Sequence, residues 1–167
     1  SGTTRGKLNQ KQMNNIEKLI REYLIDGQTR MMQVATCVDN KPWICTVYYA
    51  VDEDLNLYWM SKPERRHSEE IIQNSTIVAT VVHDQQPPRK DHRSVTIEGT
   101  AQELSGAEAL KPILLYGKQL ASPKEWIQAV KLATDPHKIY KLKPSKFVIF
   151  DDVNFPENPK QEWALGE

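Results

Sequence analysis

The apolar positions change period soon after residue 25. Between Gln10 and Ile25, Met13, Ile16, Leu19, Ile20, Tyr23 and Leu24 recur at helical spacing, which predicts one amphipathic helix lying on something larger. Asn9 suits its N-cap, with Gln12 three residues on and Gly27 past its end. From Met31 the period becomes two. Runs rich in Val, Thr, Ile, Tyr and Trp predict strands over Met31–Val38, Trp43–Val51 and Leu55–Ser61, with turns at Asp39–Pro42 and Asp52–Asp54. Such short connections leave no room for crossover helices, so the strands form an antiparallel meander.

A helix is expected from about Pro63 to Asn74, then a strand over Thr76–His83, a polar loop over Asp84–His92 and a long strand over Arg93–Leu104. Gly99 inside that strand predicts a bulge or a close backbone approach. Ser105 with Glu108, and Ser122-Pro123 with Glu125, mark two helix starts, for helices over Ala107–Leu120, bent or broken at Pro112, and Pro123–Ala133. Strands over Lys138–Leu142 and Lys146–Asp151 follow, joined at Lys143-Pro144-Ser145. The tail from Asp152 has no period. Seven short strands with a few helices predict a mainly β, α+β chain: a single domain built as an antiparallel split β-barrel. Its helix runs over about 10–25, its barrel over about 31–151 and an extended tail over 152–167.

Composition narrows the function. The 167 residues hold 22 Lys+Arg and 22 Asp+Glu, so no net basic charge argues for a nucleic-acid partner. No apolar run reaches the length of a membrane span, and the first residues lack a signal peptide's apolar stretch. With only Cys37 and Cys45, a cytoplasmic protein with reduced thiols is expected. A four-residue loop over 39–42 would set position 38 opposite 43 and point the two cysteines to opposite faces, which disfavours a disulfide. None of the four histidines has zinc-like spacing, so no metal is expected.

Two stretches carry candidate chemistry. Ser61-Lys62-Pro63-Glu64-Arg65-Arg66-His67-Ser68 lies where a strand gives way to a helix. Helix starts favour acidic side chains, yet here Lys62, Arg65 and Arg66 crowd one. A phosphate held by Ser61, backbone N–H groups and these cations would resolve the conflict. The residues equally allow a solvated helix face balanced by Glu64, Glu69 and Glu70. In the second stretch, alternation puts Cys45, Val47 and Tyr49 on one face and Ile44, Thr46 and Tyr48 on the other. This strand could lie along a planar ligand, or be ordinary β-core.

In order and spacing these segments resemble the pyridoxamine 5′-phosphate oxidase-like family of FMN-binding split-barrel proteins. The resemblance is carried by Met32–Asp39, Pro42–Tyr49, Leu57–Lys62 before the basic helix start, Asn74 closing that helix, and Ser94–Ala101. It covers roughly Met31–Leu104 and extends to the final strand pair. It implies FMN, with the isoalloxazine along Cys45, Thr46, Val47 and Tyr48, and the phosphate held near Met60, Ser61, Lys62, Arg65, Arg66 and His67. Ser94 matches a polar position that reaches the flavin ring. The chain departs from the family at Arg65, where a small hydroxyl residue is common, at His67, where Lys is common, and at Cys45, which replaces an Arg of the true oxidases. It also lacks their C-terminal Arg- and His-bearing substrate motif, so oxidation of vitamin B6 is not expected. The resemblance implies a homodimer with flavin at its interface, acting as an FMN-dependent oxidoreductase on a small-molecule substrate, with NAD(P)H as a candidate donor. A flavin carrier or sensor, or a relative using a deazaflavin or haem, is the alternative.

Overall fold

The computed structural model describes residues 10–25, 30–82 and 93–166. The expected cap residue Asn9, Gly27 and the loop 84–92 lie outside them. The order is α1 (Gln10–Ile25), β1 (Met31–Val38), β2 (Lys41–Tyr48), β3 (Ala50–Val51), β4 (Leu57–Ser61), α2 (Arg66–Gln73), β5 (Thr76–Val82) and β6 (Arg93–Leu104), then α3 (Ala107–Gln119), α4 (Lys124–Lys131), β7 (Lys138–Asp151) and β8 (Lys160–Ala164). One antiparallel sheet runs β2-β1-β5-β6-β7-β4-β3, with β8 paired to β7. It curls into a split barrel, the α+β class expected, and brings β2 against β4 across the split.

The inward rows of the strands and one stripe of α1 (Ile16, Ile20, Tyr23, Leu24) form the main core. α3 and α4 pack on the other side of β4, where Tyr58, Ile113, Tyr116, Ile127 and Ile139 form a second cluster.

The β1–β2 hairpin is tighter than the sequence predicts. Asp39 and Asn40 have φ of 52° and 57°, a two-residue turn of the type that matches strand twist. Val38 therefore pairs with Lys41, and Cys45 with Val34. The register differs from the expected one by two residues, an even number, so every side chain keeps its face. Cys37 and Cys45 are both free, on opposite faces.

Two expected strands near the end are one. Lys143-Pro144-Ser145 is not a turn but a bulge inside β7: Lys146 pairs with Glu98 and Pro144 with Gly99, leaving Ser145 as the extra residue. A proline without an N–H is tolerated at such an irregularity. The Ser145 hydroxyl donates to the Glu98 carbonyl at 3.1 Å. Gly99 is required opposite, since a Cβ there would sit 2.2 Å from the Lys143 carbonyl oxygen. Gly99→Ala is expected to lower stability by about 2–3 kcal/mol, read from the urea midpoint, because the backbone must shift to admit one methyl. An unchanged midpoint would contradict the close approach.

The tail is also structured. β8 pairs along Lys146–Phe150 of β7, and Trp163 stacks on Phe147 with ring centroids 5.6 Å apart. Where the tail begins, fully buried Asp151 accepts the Tyr23 hydroxyl of α1 and the backbone N–H groups of Val153 (3.0 Å) and Asn154 (2.8 Å). The Asn154 amide adds a bond of 2.7 Å.

Candidate functional site

β4 alternates between the two cores. Leu57 and Trp59 enter the barrel core, with Ser61 next in the same row, whereas Tyr58 and Met60 join the α3–α4 cluster. The Met60 side chain therefore lies on the opposite face of β4 from Ser61. Past Ser61 the chain makes one turn, closed by the Arg65 N–H donating to the Lys62 carbonyl at 3.1 Å, with Pro63 at its second position. α2 consequently starts at Arg66 and not at Pro63 as expected. Arg65 is its N-cap residue and provides no side-chain cap, so the first amides of the helix lack one. Among the described residues, half-buried Lys62 and exposed Arg65 are in no ion pair.

His67 folds back from the first turn of α2 onto the end of β4. Its Nε2 lies 2.8 Å from the Ser61 Oγ, and both residues are buried. Burial, then the nearby Arg65 cation, holds the imidazole below its ordinary pKa against the opposing pull of Glu70. His67 is thus neutral at neutral pH and contributes polarity to the site rather than charge.

Arg66 is held from two sides. Its Nε donates to Glu70 Oε1 at 2.7 Å, one helical turn on, and its guanidinium lies 4.4 Å from the ring centroid of Trp43 in β2. The second Glu70 oxygen accepts the hydroxyl of Thr36 in β1, the cross-strand partner of Trp43. These bonds, Thr36 first and Arg66 second, hold the Glu70 carboxyl below the usual carboxylate range. The start of β2 and the start of α2 are thereby brought into contact.

Along β2 the alternation is as expected. Ile44, Thr46 and Tyr48 are exposed, while Cys45 and Val47 are partly buried and pack against the barrel core. Burial pushes the Cys45 thiol up to about 11, so it is no thiolate nucleophile near neutral pH. As an edge strand, β2 also leaves backbone groups of Cys45 and Val47 open beside these partly buried side chains. Ser94 lies on the same outer face as Thr46 and Tyr48, but on β6, three strands from β2. The expected residues therefore fall into a basic group around Ser61, Lys62, Arg65, Arg66 and His67, and an outer-face group of Thr46, Tyr48 and Ser94.

Trp43, Glu70 and Thr36 were missed by sequence reasoning. Glu70 had a signal, its i,i+4 spacing from Arg66. Trp43 and Thr36 depend on the hairpin register and on how α2 crosses β1, which no local pattern encodes. Chemically, the arrangement can take an anion at the start of α2 and a planar group beside β2. Among the described residues no group of three or more His, Cys, Asp and Glu could hold a metal ion, and no helix is long and apolar enough to cross a membrane.

No family model matches the chain, and no curated protein matches it in sequence. Its fold is shared with many solved proteins. A heme binding protein from Mycobacterium smegmatis superposes with a TM-score of 0.68 at 14% identity, over 86% of this chain and 56% of that protein. The chain thus spans little more than half of that neighbour's length. An FAD-binding protein from Mesorhizobium loti gives 0.60 at 20% identity, over 78% of this chain and 89% of the other. HutZ, the heme storage protein of Vibrio cholerae, gives 0.61 at 16% identity, over 77% and 89%.

Proposed function

We propose that this chain binds FMN at a homodimer interface and acts as an FMN-dependent oxidoreductase on a small-molecule substrate. One observation carries the proposal: a helix start without a side-chain cap, whose cations Lys62 and Arg65 are in no ion pair among the described residues, lies beside an edge strand, with the Arg66 guanidinium over the Trp43 ring of that strand. The residues fit the cofactor's two halves. Ser61, Lys62, Arg65, Arg66 and the first amides of α2 would hold the phosphate, with His67 fixing Ser61. The backbone of Cys45–Tyr48 and the side chains of Thr46 and Tyr48 would border the ring. FMN would supply the electron chemistry, and the chain's part is to bind, orient and shield it. The FAD-binding neighbour supports a flavin. The two heme proteins support haem as a second reading, which the absorption spectrum of reconstituted protein separates from the first.

The outer sheet face supports the dimer. Ile44, Tyr48, Val78, Val82 and Phe150 are each at least 39% exposed, and their registers set them on one side of β2, β5 and β7. These apolar side chains, interrupted by the polar row Thr46, Gln33, Thr80 and Thr96, are the kind a second copy would cover. Ser94 is three strand spacings, about 14 Å, from β2. A two-fold axis on this face would bring Ser94 of one copy toward β2 of the other. A dimer at micromolar concentration is expected by light scattering, and Tyr48→Asp with Ile44→Asp should yield monomers. A wild-type monomer that still holds flavin would contradict it.

Turnover is tested by anaerobic mixing of the flavin-loaded protein with NADH or NADPH. Loss of the oxidised flavin absorbance within seconds, faster than with free FMN, supports an oxidoreductase. No acceleration with either donor would favour a carrier or sensor.

A further inference from the structure

The cation nearest β2 is not free to wander. Arg66 has five N–H donors in a planar fork, and Glu70 takes the one on Nε, leaving the two terminal nitrogens. The guanidinium carbon lies over the Trp43 ring, 4.4 Å from its centroid. Glu70 is itself fixed: it is 8% exposed, and its other oxygen holds the hydroxyl of Thr36, which is 2% exposed. The chain of contacts runs from the barrel wall through Thr36 and Glu70 to Arg66 and Trp43. An anion arriving at a clamped arginine avoids most of the ordering cost of that long side chain.

We propose that Glu70, anchored by Thr36, is the positioning residue that aims Arg66 at the anion, with Trp43 as the platform beneath it. This rests on the assignment of the α2 start as a phosphate site. The charge of Glu70 works the other way, since a carboxylate beside the site repels an anion. The two effects therefore predict opposite signs. Removing Glu70 weakens phosphate binding if aiming dominates and tightens it if charge dominates.

FMN and riboflavin are titrated into wild type, Glu70→Ala, Glu70→Gln and Thr36→Val, each checked for an unchanged far-UV spectrum. Glu70→Ala should weaken FMN about tenfold and riboflavin little. Glu70→Gln, which keeps one acceptor without the charge, should recover part of the loss. Thr36→Val keeps the charge and should show a smaller loss confined to FMN. Unchanged or tighter FMN binding in Glu70→Ala overturns the proposal. A second measurement needs no flavin: hydrogen exchange at the Arg66 Nε–H in the ligand-free protein, read by nuclear magnetic resonance. It should be slow in wild type and faster in Glu70→Ala and Thr36→Val, and equal rates overturn the proposal. If wild type binds FMN and riboflavin equally, the phosphate assignment fails, while the exchange rates still decide whether Glu70 fixes Arg66.

Discussion

Replacing Lys62 and Arg66 together with alanine is expected to weaken FMN binding roughly a hundredfold while leaving riboflavin nearly unchanged, because only FMN carries the phosphate. Each charge-assisted hydrogen bond contributes about 1.5–3 kcal/mol. The Arg66 side chain is 45% exposed, so solvent screening places its share toward the lower end. Fluorescence quenching titrations of both ligands check the ratio. Equal losses would mean that the variants damage the ring contacts or the fold and that the start of α2 is not where the phosphate binds.

The second large effect is on stability. Asp151→Ala is expected to destabilise the fold by about 3 kcal/mol or more, because it removes the acceptor of the buried Tyr23 hydroxyl and of several N–H donors at once. Tyr23→Phe removes the bond to Asp151 and the longer one accepted from Asn154 Nδ2 (3.3 Å) but leaves the amide donors on Asp151 paired, and should cost less, about 1–2 kcal/mol. The pH dependence has a definite sign. Burial opposes the charge on Asp151, but the Tyr23 hydroxyl, Asn154 and the Val153 amide together hold its carboxyl below the ordinary value. The associated stability is fully present above the unfolded value of about 3.9 and is lost as pH falls through the lower folded value. Tyr23 does not titrate in this window, since burial and then Asp151 raise its phenol far above neutrality. Urea unfolding of wild type and Asp151→Asn between pH 2 and 6 checks this. Parallel curves would show that Asp151 contributes nothing to the acid limb.

Much of the barrel was legible because its strands are half-buried and alternate cleanly. β1 reads as intermediate and buried positions in turn, and the hairpin error of two residues did not move any side chain to the other face. Gly99 announced the close backbone approach, because a glycine amid β-formers has few other uses. The bulge opposite, with Ser145 as its extra residue, reads as a turn, since Lys-Pro-Ser is turn chemistry wherever the opposite strand is unknown. β8 was illegible for a different reason. Lys160–Ala164 has a single large apolar residue, Trp163, and is a strand only because β7 offers it an edge.

The site divides the same way. The basic helix start was readable from charges sitting where acidic residues belong. The inward side-chain face of Cys45 and Val47 followed from alternation. The odd-even rule also puts Met60 on the face opposite Ser61, although the two are adjacent in sequence. The contact of Arg66 with Trp43 spans 23 positions and two intervening strands, β3 and β4, and only the folded sheet reveals it.

The most direct measurement is equilibrium dialysis of the protein against equal concentrations of FMN, riboflavin, FAD and haemin, with the retained ligand identified by absorption spectrum and mass. Retention of one FMN per chain, with riboflavin left in the bath, is the expected result. Retention of haemin in place of FMN, or of riboflavin as readily as FMN, would contradict a phosphate-anchored flavin site at the start of α2.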